Sequence, residues 1–315
     1  MRQQFALPRW EFLMRRQLCC VVGLLAFSAV VQAASFTEAL VTGPAGTGCT
    51  EFDTNGGLVT AACTSIFDNV TSTATAKSVA SGGHLGASIV IDTHAQNSNA
   101  AGGFTGTTTA RTVDRVRIDG INGEQGQGLL SLSISLAAQQ SAVTQATGPS
   151  AVTLASTGTE VRAILSVAGE EHYMMRTGSY RVDWRPETGP IGSGDDVSYI
   201  DGVTVPSAFG LHTFTIPFSF GSEFTISMEL RGYATAGAAG DGQASIDFDA
   251  MNSFDWRGIQ RVSAGGQEVP FTLTSESGID WVSPVPEPET AWLFVVGLVS
   301  CAALAARKRS GAGHR

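Results

Sequence analysis

The chain has 315 residues, of which 37 are glycine, 15% are charged and 43% are hydrophobic. Its formal net charge is −9, and residues 34 to 286 hold 25 Asp and Glu against 11 Lys and Arg, a net charge of −14. Such an acidic body argues against nucleic acid or an anionic membrane surface as a partner. The other eight basic residues lie at the two ends of the chain, close to apolar runs.

The N-terminus has the features of a secretory signal peptide. Arg15 and Arg16 precede an apolar run from Leu18 to Val31, and small residues occupy positions −3 and −1 before Ala34. As a helix this run would span about 21 Å, which is short of a roughly 30 Å bilayer core and argues against a permanent anchor. We therefore expect export through the Sec translocon and cleavage between Ala33 and Ala34. The start codon stays open between Met1 and Met14.

Only two of the five cysteines belong to the expected mature body. Cys19 and Cys20 fall in the signal peptide and Cys301 in a C-terminal apolar stretch, which leaves Cys49 and Cys63. Turn-forming residues midway between these two predict a β-hairpin closed by a disulfide in an oxidising compartment. Such a bond typically contributes about 3 kcal/mol. The alternatives are free thiols or half of a metal site, but no Cys or His lies close enough in sequence to complete one.

The body has a hydrophobic period of two. Leu130 to Leu136 alternates apolar residues with serine, the pattern of a half-buried strand. Two such runs surround Gly221-Ser222, so residues 213–231 predict a hairpin, with Pro217 placing its first strand at a sheet edge. Turn-rich connections favour an all-β fold, an antiparallel, jelly-roll-like β-sandwich formed as one domain. Further predicted strands are Ala87–Asp92, Val116–Asp119, Val161–Val167, Tyr180–Trp184, Ala244–Ala250 and Phe271–Thr274.

Motifs of known catalytic chemistry are missing from the sequence. It contains no Gly-x-Ser-x-Gly pentapeptide, no HExxH, no P-loop and no GxGxxG. His84 and His94 flank the predicted strand Ala87–Asp92, too far apart to share a metal at about 3.3 Å per residue. We predict that these two, together with His172 and His212, are ordinary surface or loop histidines.

Acidic clusters are the strongest indication in the sequence of an enzyme or a cation site. Asp247 and Asp249 lie two apart on a predicted strand, hence about 7 Å apart on one face, a separation compatible with glycosidic chemistry or a shared Ca²⁺. The purely structural alternative is a half-buried strand whose aspartates face solvent, and we prefer it. Asp195, Asp196 and Asp201 form a second cluster whose spacing does not match an EF-hand. We predict no cofactor, with a structural Ca²⁺ as a minor alternative.

Three tryptophans are candidates for stacking on sugar rings. Trp184, Trp256 and Trp281 are scattered along the body, as in carbohydrate-binding sandwiches. Scattered tryptophans are more often core or sheet-edge residues. The sugar-binding interpretation is therefore kept as a rival.

The C-terminus has three parts in order. Pro286, Glu287 and Pro288 lie in a proline-rich linker, an apolar stretch runs from Ala291 to Ala306, and the basic cluster Arg307, Lys308 and Arg309 follows. The prolines keep the chain extended, the apolar stretch is close to the lower limit for a spanning helix, and the basic cluster retains the tail on the cytoplasmic side. A permanent tail anchor would need neither the Pro-Glu-Pro triplet nor so short a helix.

This tail resembles the PEP-CTERM sorting signal of exported bacterial proteins. The resemblance implies that an exosortase, a membrane-embedded cysteine transpeptidase, recognises Pro286, Glu287 and Pro288 and removes the tail. It also implies a two-membrane bacterium that makes exopolysaccharide. The segments around Ser245–Phe254, Gly258-Ile259 and Ser275–Gly278 similarly resemble the last strands before such tails, which implies a position in the fold but no activity.

We therefore predict a non-enzymatic protein that is inserted briefly in the inner membrane and then delivered to the cell surface or outside the cell. It would have a structural or adhesive role with exopolysaccharide as a possible partner. The rivals are a carbohydrate-binding module and a glycoside hydrolase or lyase built on the same sandwich. The predicted segments are a signal peptide (1–33), a β-rich domain (34–282), a Pro/Glu linker (283–289), a transmembrane helix (290–306) and a basic tail (307–315).

Overall fold

A computed structural model of the chain describes residues 34–43, 47–146, 153–185, 197–200, 203–205 and 209–284. Side chains are described for most of these residues, but not for 34, 99, 146, 153–154, 174–175, 177–185, 197–200 and 203–205. The predicted signal peptide, the Pro-Glu-Pro motif and the apolar and basic parts of the tail lie outside them. Within these ranges the fold is all-β, and no helix occurs.

The described residues form seventeen strands, several of them much longer than the sequence pattern suggested. In chain order they are β1 (Ala34–Thr42), β2 (Gly48–Asp53), β3 (Val59–Phe67), β4 (Val70–Ser81), β5 (His84–Ala95), β6 (Ser98–Gly120), β7 (Gln127–Leu136), β8 (Gln139–Ala146), β9 (Thr153–Val167), β10 (Glu170–Arg185), β11 (Val197–Ile200), β12 (Val203–Val205), β13 (Gly210–Ser219), β14 (Glu223–Gly240), β15 (Gly242–Ala264), β16 (Gln267–Glu268) and β17 (Phe271–Ser275).

The strands form two antiparallel sheets. Sheet 1 has the order β12-β11-β10-β9-β14-β6-β1-β2, with β17 paired to β6 beside β1. Sheet 2 has the order β13-β7-β15-β5-β4-β3, with β8 and β16 also paired to β15. Alternate residues of both sheets point into one shared hydrophobic cluster, so the two sheets face each other as in a sandwich.

Small residues let the two sheets approach closely. Gly232 in sheet 1 lies opposite Phe248 in sheet 2, and a Cβ on Gly232 would come within 2.7 Å of the Phe248 ring. Gly106 faces Ile89 in the same way, at 2.5 Å. Many other inward positions are alanine. The high glycine and alanine content is therefore a packing requirement of long, closely facing strands.

The predicted strands are confirmed, but the predicted hairpin at residues 213–231 is wrong. β13 pairs with β7 in sheet 2, whereas β14 pairs with β6 and β9 in sheet 1, so the Gly221-Ser222 turn crosses between the sheets. A period of two fixes which face of a strand is buried but does not choose its neighbour. The edge position that Pro217 indicated is confirmed, because β13 is the last strand of sheet 2.

The disulfide is confirmed, and the hairpin expected around it is wrong. Cys49 and Cys63 are bonded, with Cα atoms 6.0 Å apart. However, β2 pairs with β1 at one edge of sheet 1, and β3 pairs with β4 at one edge of sheet 2. The bond therefore joins the edges of two different sheets, because residues 54–58 carry the chain from one sheet to the other.

Candidate functional site

The last described residues, 271–284, contact both sheets. β17 continues the edge of sheet 1 along β6, and the amide of Glu276 then donates to the carbonyl of Arg115. Residues 276–284 leave this sheet and reach β15 of sheet 2, where the amide of Ile259 donates to the carbonyl of Trp281 at 3.1 Å. One short segment thus contacts both layers.

The terminal segment is hydrogen-bonded to a buried carboxylate of sheet 1. Asp114 is only 4% exposed, and four groups of the terminal segment donate to it. The hydroxyls of Ser275 and Ser277 reach Oδ2 at 2.6 Å each, the indole Nε1 of Trp281 reaches Oδ2 at 2.5 Å, and the Ser277 amide reaches Oδ1 at 3.1 Å. Within the described part of the chain no cation forms an ion pair with Asp114, so neutral donors alone stabilise the charge.

These contacts shift the acidity of Asp114. Burial by itself raises the pKa of a carboxyl group, but the hydrogen bonds from Ser275, Ser277 and Trp281 outweigh it and lower the pKa of Asp114 below the ordinary value of 3.8. The carboxylate is therefore ionised at neutral pH although it lacks a counter-ion. Its oxygens are already used by the four donors, which fits a structural role better than proton transfer.

Two tryptophans complete the contact with sheet 2. Trp256 and Trp281 are both fully buried, and their rings meet edge to face with centroids 4.9 Å apart. The indole Nε1 of Trp256 donates to the carbonyl of Trp281 at 2.7 Å. We call the set of Asp114, Ser275, Ser277, Trp256 and Trp281 the C-terminal seam.

The chain must pass very close to β15 beyond the seam. Gly258 has φ +91°, and a Cβ there would lie 2.5 Å from the carbonyl oxygen of Val282. Only glycine satisfies both conditions without strain. The side chain of Asp280 accepts from the amides of Val282 and Ser283 and stabilises the final turn. The ordered contacts thus continue almost to Pro284, two residues before Pro286.

A second polar cluster lies at the bulge of β15. His84 Nδ1 contacts Asp255 Oδ1 at 2.5 Å, and His84 Nε2 contacts the carbonyl oxygen of Met251 at 3.0 Å. Both ring nitrogens of His84 therefore face oxygen atoms. The prediction that His84 is an ordinary surface or loop histidine is wrong, since the strand begins at this residue and only 12% of its side chain is exposed.

This cluster does not form a catalytic triad. Ser135 lies nearby, but its hydroxyl oxygen accepts a hydrogen bond from Arg257 Nε at 2.7 Å. Arg257 also contacts the second oxygen of Asp255 at 3.4 Å. The serine is thus linked to arginine rather than to a base, and a triad requires a hydrogen bond between nucleophile and histidine.

The carboxylates chosen from the sequence are not brought into a site. Asp247 and Asp249 lie on the solvent-facing side of sheet 2 and are exposed, as the purely structural alternative predicted. Asp249 accepts from the amide of Met251 at 2.9 Å. No group of three or more potential metal ligands occurs among the residues that the structure describes. Asp195, Asp196 and Asp201 lie outside those residues.

The tryptophans and the remaining histidines are also distributed away from a common site. Trp256 and Trp281 are buried in the seam and are not available to stack on a sugar, while the side chain of Trp184 is not described. His94 is exposed on β5. The ring of His212 lies 5.4 Å from that of the buried Tyr173.

Comparison with known proteins gives no family for the chain. No family model matches it, and no curated protein does either. Among solved structures, a GH31 alpha-xylosidase from Xanthomonas citri aligns with 67% of this chain at 9% identity, with a TM-score of 0.11. The chain spans 32% of that enzyme's length. A similarity at this level says nothing about fold or activity.

The seam was missed as a unit, although its parts carry signals in the sequence. Asp114 occupies an inward position of β6, in the alternation Thr112, Asp114, Val116 and Ile118. An acid on the apolar face of a strand requires donors. Asp114 belongs to no catalytic motif, and its donors lie more than 160 residues away along the chain.

Proposed function

We propose that this chain is an exported bacterial surface or extracellular-matrix protein of the PEP-CTERM type, sorted by an exosortase and serving a structural or adhesive role. In this proposal the two facing sheets form one jelly-roll-like domain over residues 34–282. The predicted helix 290–306 is a temporary inner-membrane anchor, which the exosortase removes. No helix within the described ranges is long and apolar enough to span a bilayer.

The observation that carries the proposal is the position of the seam relative to the motif. Ordered contacts reach Ser283, and Pro286 follows three residues later, at most about 11 Å along an extended chain. The body can therefore close completely while the recognition triplet Pro286, Glu287 and Pro288 is still joined to the anchor. A folded body that ends this close to the predicted motif suits a substrate that must be exported, folded and then cut beside the membrane.

Two further features support export. The Cys49–Cys63 bond is of the kind that persists in oxidising compartments. Ala34 pairs with Val113 of β6, so cleavage between Ala33 and Ala34 would keep this pairing in the mature protein.

The test is the intact mass and location of the protein in its host, with and without the exosortase. We expect a species that starts at Ala34, lacks the helix after Pro288 and appears outside the cell only when the exosortase is present. Glu287→Ala should leave an uncut, membrane-bound chain, whereas the matched control Glu289→Ala should be processed normally. An intact tail in both strains would contradict the proposal.

The acidic body also bears on how the protein is retained in a matrix. A net charge of −14 repels an anionic polysaccharide unless divalent cations bridge the two, so the proposal includes Ca²⁺-dependent association with exopolysaccharide. Chelation should release a large part of the matrix-bound protein. If chelation and high salt both leave retention unchanged, this part of the proposal fails.

A further inference from the structure

The free edges of the two sheets are protected unequally. An exposed edge strand can pair with another chain, and proteins prevent this with charged residues, proline or very short edge strands. β13 ends sheet 2 on one side and contains Pro217, and the six-residue β2 ends sheet 1 with Glu51 and Asp53. β3 ends sheet 2 on the other side, and its nine residues, Val59–Phe67, include no charged residue and no proline. Of the sheet ends whose side chains the structure describes, β3 alone lacks this protection.

Exposed apolar side chains lie at the same edge. Ile66 is 76% exposed and Phe67 is 50% exposed. The alternation that buries Val59 and Ala61 also turns Phe67 inward, so its exposure shows that the described part of the chain does not cover this end of the sheet. Within the described ranges β3 pairs with β4 and with no second strand. The unpaired backbone groups of β3 therefore lie beside apolar side chains that face solvent.

We propose that β3 pairs with β3 of a second copy of this chain, antiparallel and centred on Cys63, so that sheet 2 continues from one copy into the other. This register keeps inward residues beside inward residues and uses all nine positions, a contact about 30 Å long. The pairing is isologous, so a two-fold axis relates the copies and the assembly is a closed dimer. The Cys49–Cys63 bond engages side chains only and leaves the backbone edge of β3 unpaired.

The strand is complementary to itself in this register. On the inner face Val59 of one copy lies beside Phe67 of the other, which gives the exposed phenyl ring an apolar neighbour. On the outer face Thr60 of one copy lies beside Ile66 of the other. Aromatic and β-branched cross-strand pairs of this kind stabilise antiparallel sheets, and no like charges are placed opposite each other.

The charge distribution favours a second copy over a charged partner. The net charge of −14 repels a second copy, but screening confines this repulsion to about 8 Å at physiological ionic strength. β3 itself offers no charge to an ionic partner, so the strand that fits it is uncharged and is recognised through backbone and apolar contacts. β3 of a second copy is such a strand. A contact along one strand is smaller than an obligate interface, so we expect the dimer to form reversibly.

The test is oxidative cross-linking of the full chain, purified in detergent, that carries Thr60→Cys and Ile66→Cys together. The two positions are about 20 Å apart within one chain, too far for a disulfide, whereas in the proposed register each faces the other position of the second copy. We expect a covalent dimer on a non-reducing gel, with the new bond mapped to positions 60 and 66 by mass spectrometry. Either substitution alone should give no dimer, because like positions lie about 20 Å apart in this pairing.

Charge at the edge gives a second test with a matched control. Ala62 and Thr64 face each other across the proposed contact, so adding Ala62→Lys and Thr64→Lys places lysines directly opposite each other and should abolish the cross-link. Thr73→Lys with Thr75→Lys adds the same charge to β4, opposite the same two residues within the chain, and should leave the cross-link in place. Unfolding curves of all variants establish that each one folds.

Three outcomes would overturn the inference. A dimer from Ile66→Cys alone would indicate parallel pairing, equal cross-linking in all variants would indicate random collision or association through the tail, and absence of the covalent dimer would show that β3 does not pair. The inference goes beyond the proposed sorting and does not depend on it. The cross-link is measured on purified protein without the exosortase, so its failure is distinguishable from a failure of the proposed function.

Discussion

The two sheets are joined by two cross-links of different chemistry, one covalent and one non-covalent, which we call the two ties. At the N-terminal side the Cys49–Cys63 bond links the edge strands β2 and β3. At the C-terminal side the seam links β6 to β15 through hydrogen bonds to Asp114 and through the contact of Trp256 with Trp281. The covalent tie needs only an oxidising compartment, whereas the seam needs an ionised carboxylate and a fully packed terminal segment.

In the proposed pathway the protein is held at its C-terminus before it is released. A pull on the proposed membrane tail would act first on residues 276–284, and so on the seam, while the disulfide lies at the other end of the chain. In the proposed sorting pathway, the seam would keep the body folded while the tail is attached, and the disulfide would persist after release. The predictions below perturb one tie at a time.

The largest expected effect is that of Trp281→Ala. The side chain is fully buried, packs on Trp256 and donates to Asp114, so its loss should lower the free energy of unfolding by about 3–5 kcal/mol. Urea unfolding followed by tryptophan fluorescence and circular dichroism measures this value. Phe52→Ala is the control, since Phe52 is 68% exposed and should change stability by less than about 0.5 kcal/mol. A loss below about 1 kcal/mol for Trp281→Ala would mean that the seam is not a stabilising contact.

Removal of the disulfide should come next. The double variant Cys49→Ser, Cys63→Ser should lower the free energy of unfolding by about 2–5 kcal/mol at every pH, because the bond restricts the unfolded chain. The same urea experiment measures it, and the wild-type chain in reductant should match the variant. A variant as stable as the oxidised protein would show that this tie is redundant.

Asp114→Asn should have a smaller effect that depends on pH. The amide can accept at one atom only, so buried donors lose their partner, at a cost of about 1–3 kcal/mol near pH 7. Because hydrogen bonds lower the pKa of Asp114 in the folded state, its contribution is complete above the unfolded value of about 3.9 and declines as the pH falls through the folded value. The wild-type advantage should therefore shrink in acid.

Asp280→Asn is the comparison for this pH dependence. The pKa of Asp280 is also lowered, first by the hydrogen bonds from Ser283, but this side chain is exposed and lies in the last turn. Its replacement should change stability by a few tenths of a kcal/mol at most. Identical acid profiles of Asp114→Asn and the wild type would refute the role given to Asp114.

The smallest expected effect is the coupling between the two ties. They share no hydrogen-bond partner, so the losses from Asp114→Asn and from removing the disulfide should add to within about 0.5 kcal/mol. The triple variant, compared with its parents by urea unfolding, measures the coupling. A coupling above about 1 kcal/mol would mean that the two ties belong to one cooperative unit.

The two ties also show what could be predicted from the sequence. The period of two in Leu130–Leu136 and in the runs around Gly221-Ser222 correctly indicated strands and buried faces, because alternation is a local property. Pairing is not local: β13 and β14 follow each other in sequence, yet the 18-residue β14 pairs along β6 and β9 instead of with β13. The pair Cys49 and Cys63 was found by elimination, but the geometry around it was wrong for the same reason.

The candidate sites were harder to predict than the strands. An inward acid such as Asp114 is visible in the alternation, but the identity of its donors requires the position of the terminal segment. The residues that lie side by side on β9 and β14 depend on the register of two strands far apart in the chain. Trp256 and Trp281 illustrate the opposite error, because two residues proposed for sugar binding belong to the core.

Native-state hydrogen exchange of the full chain tests the central claim most directly, namely that the seam joins the two sheets just before the proposed sorting motif. The informative amides are those of Ser277, which donates to Asp114, and Ile259, which donates to Trp281. The account predicts that both are protected to near the global free energy of unfolding in the wild type and lose protection selectively in Asp114→Asn, while the amides of β1 and β2 keep theirs. Exchange of these two amides at the rate of an open loop in the wild type would contradict it.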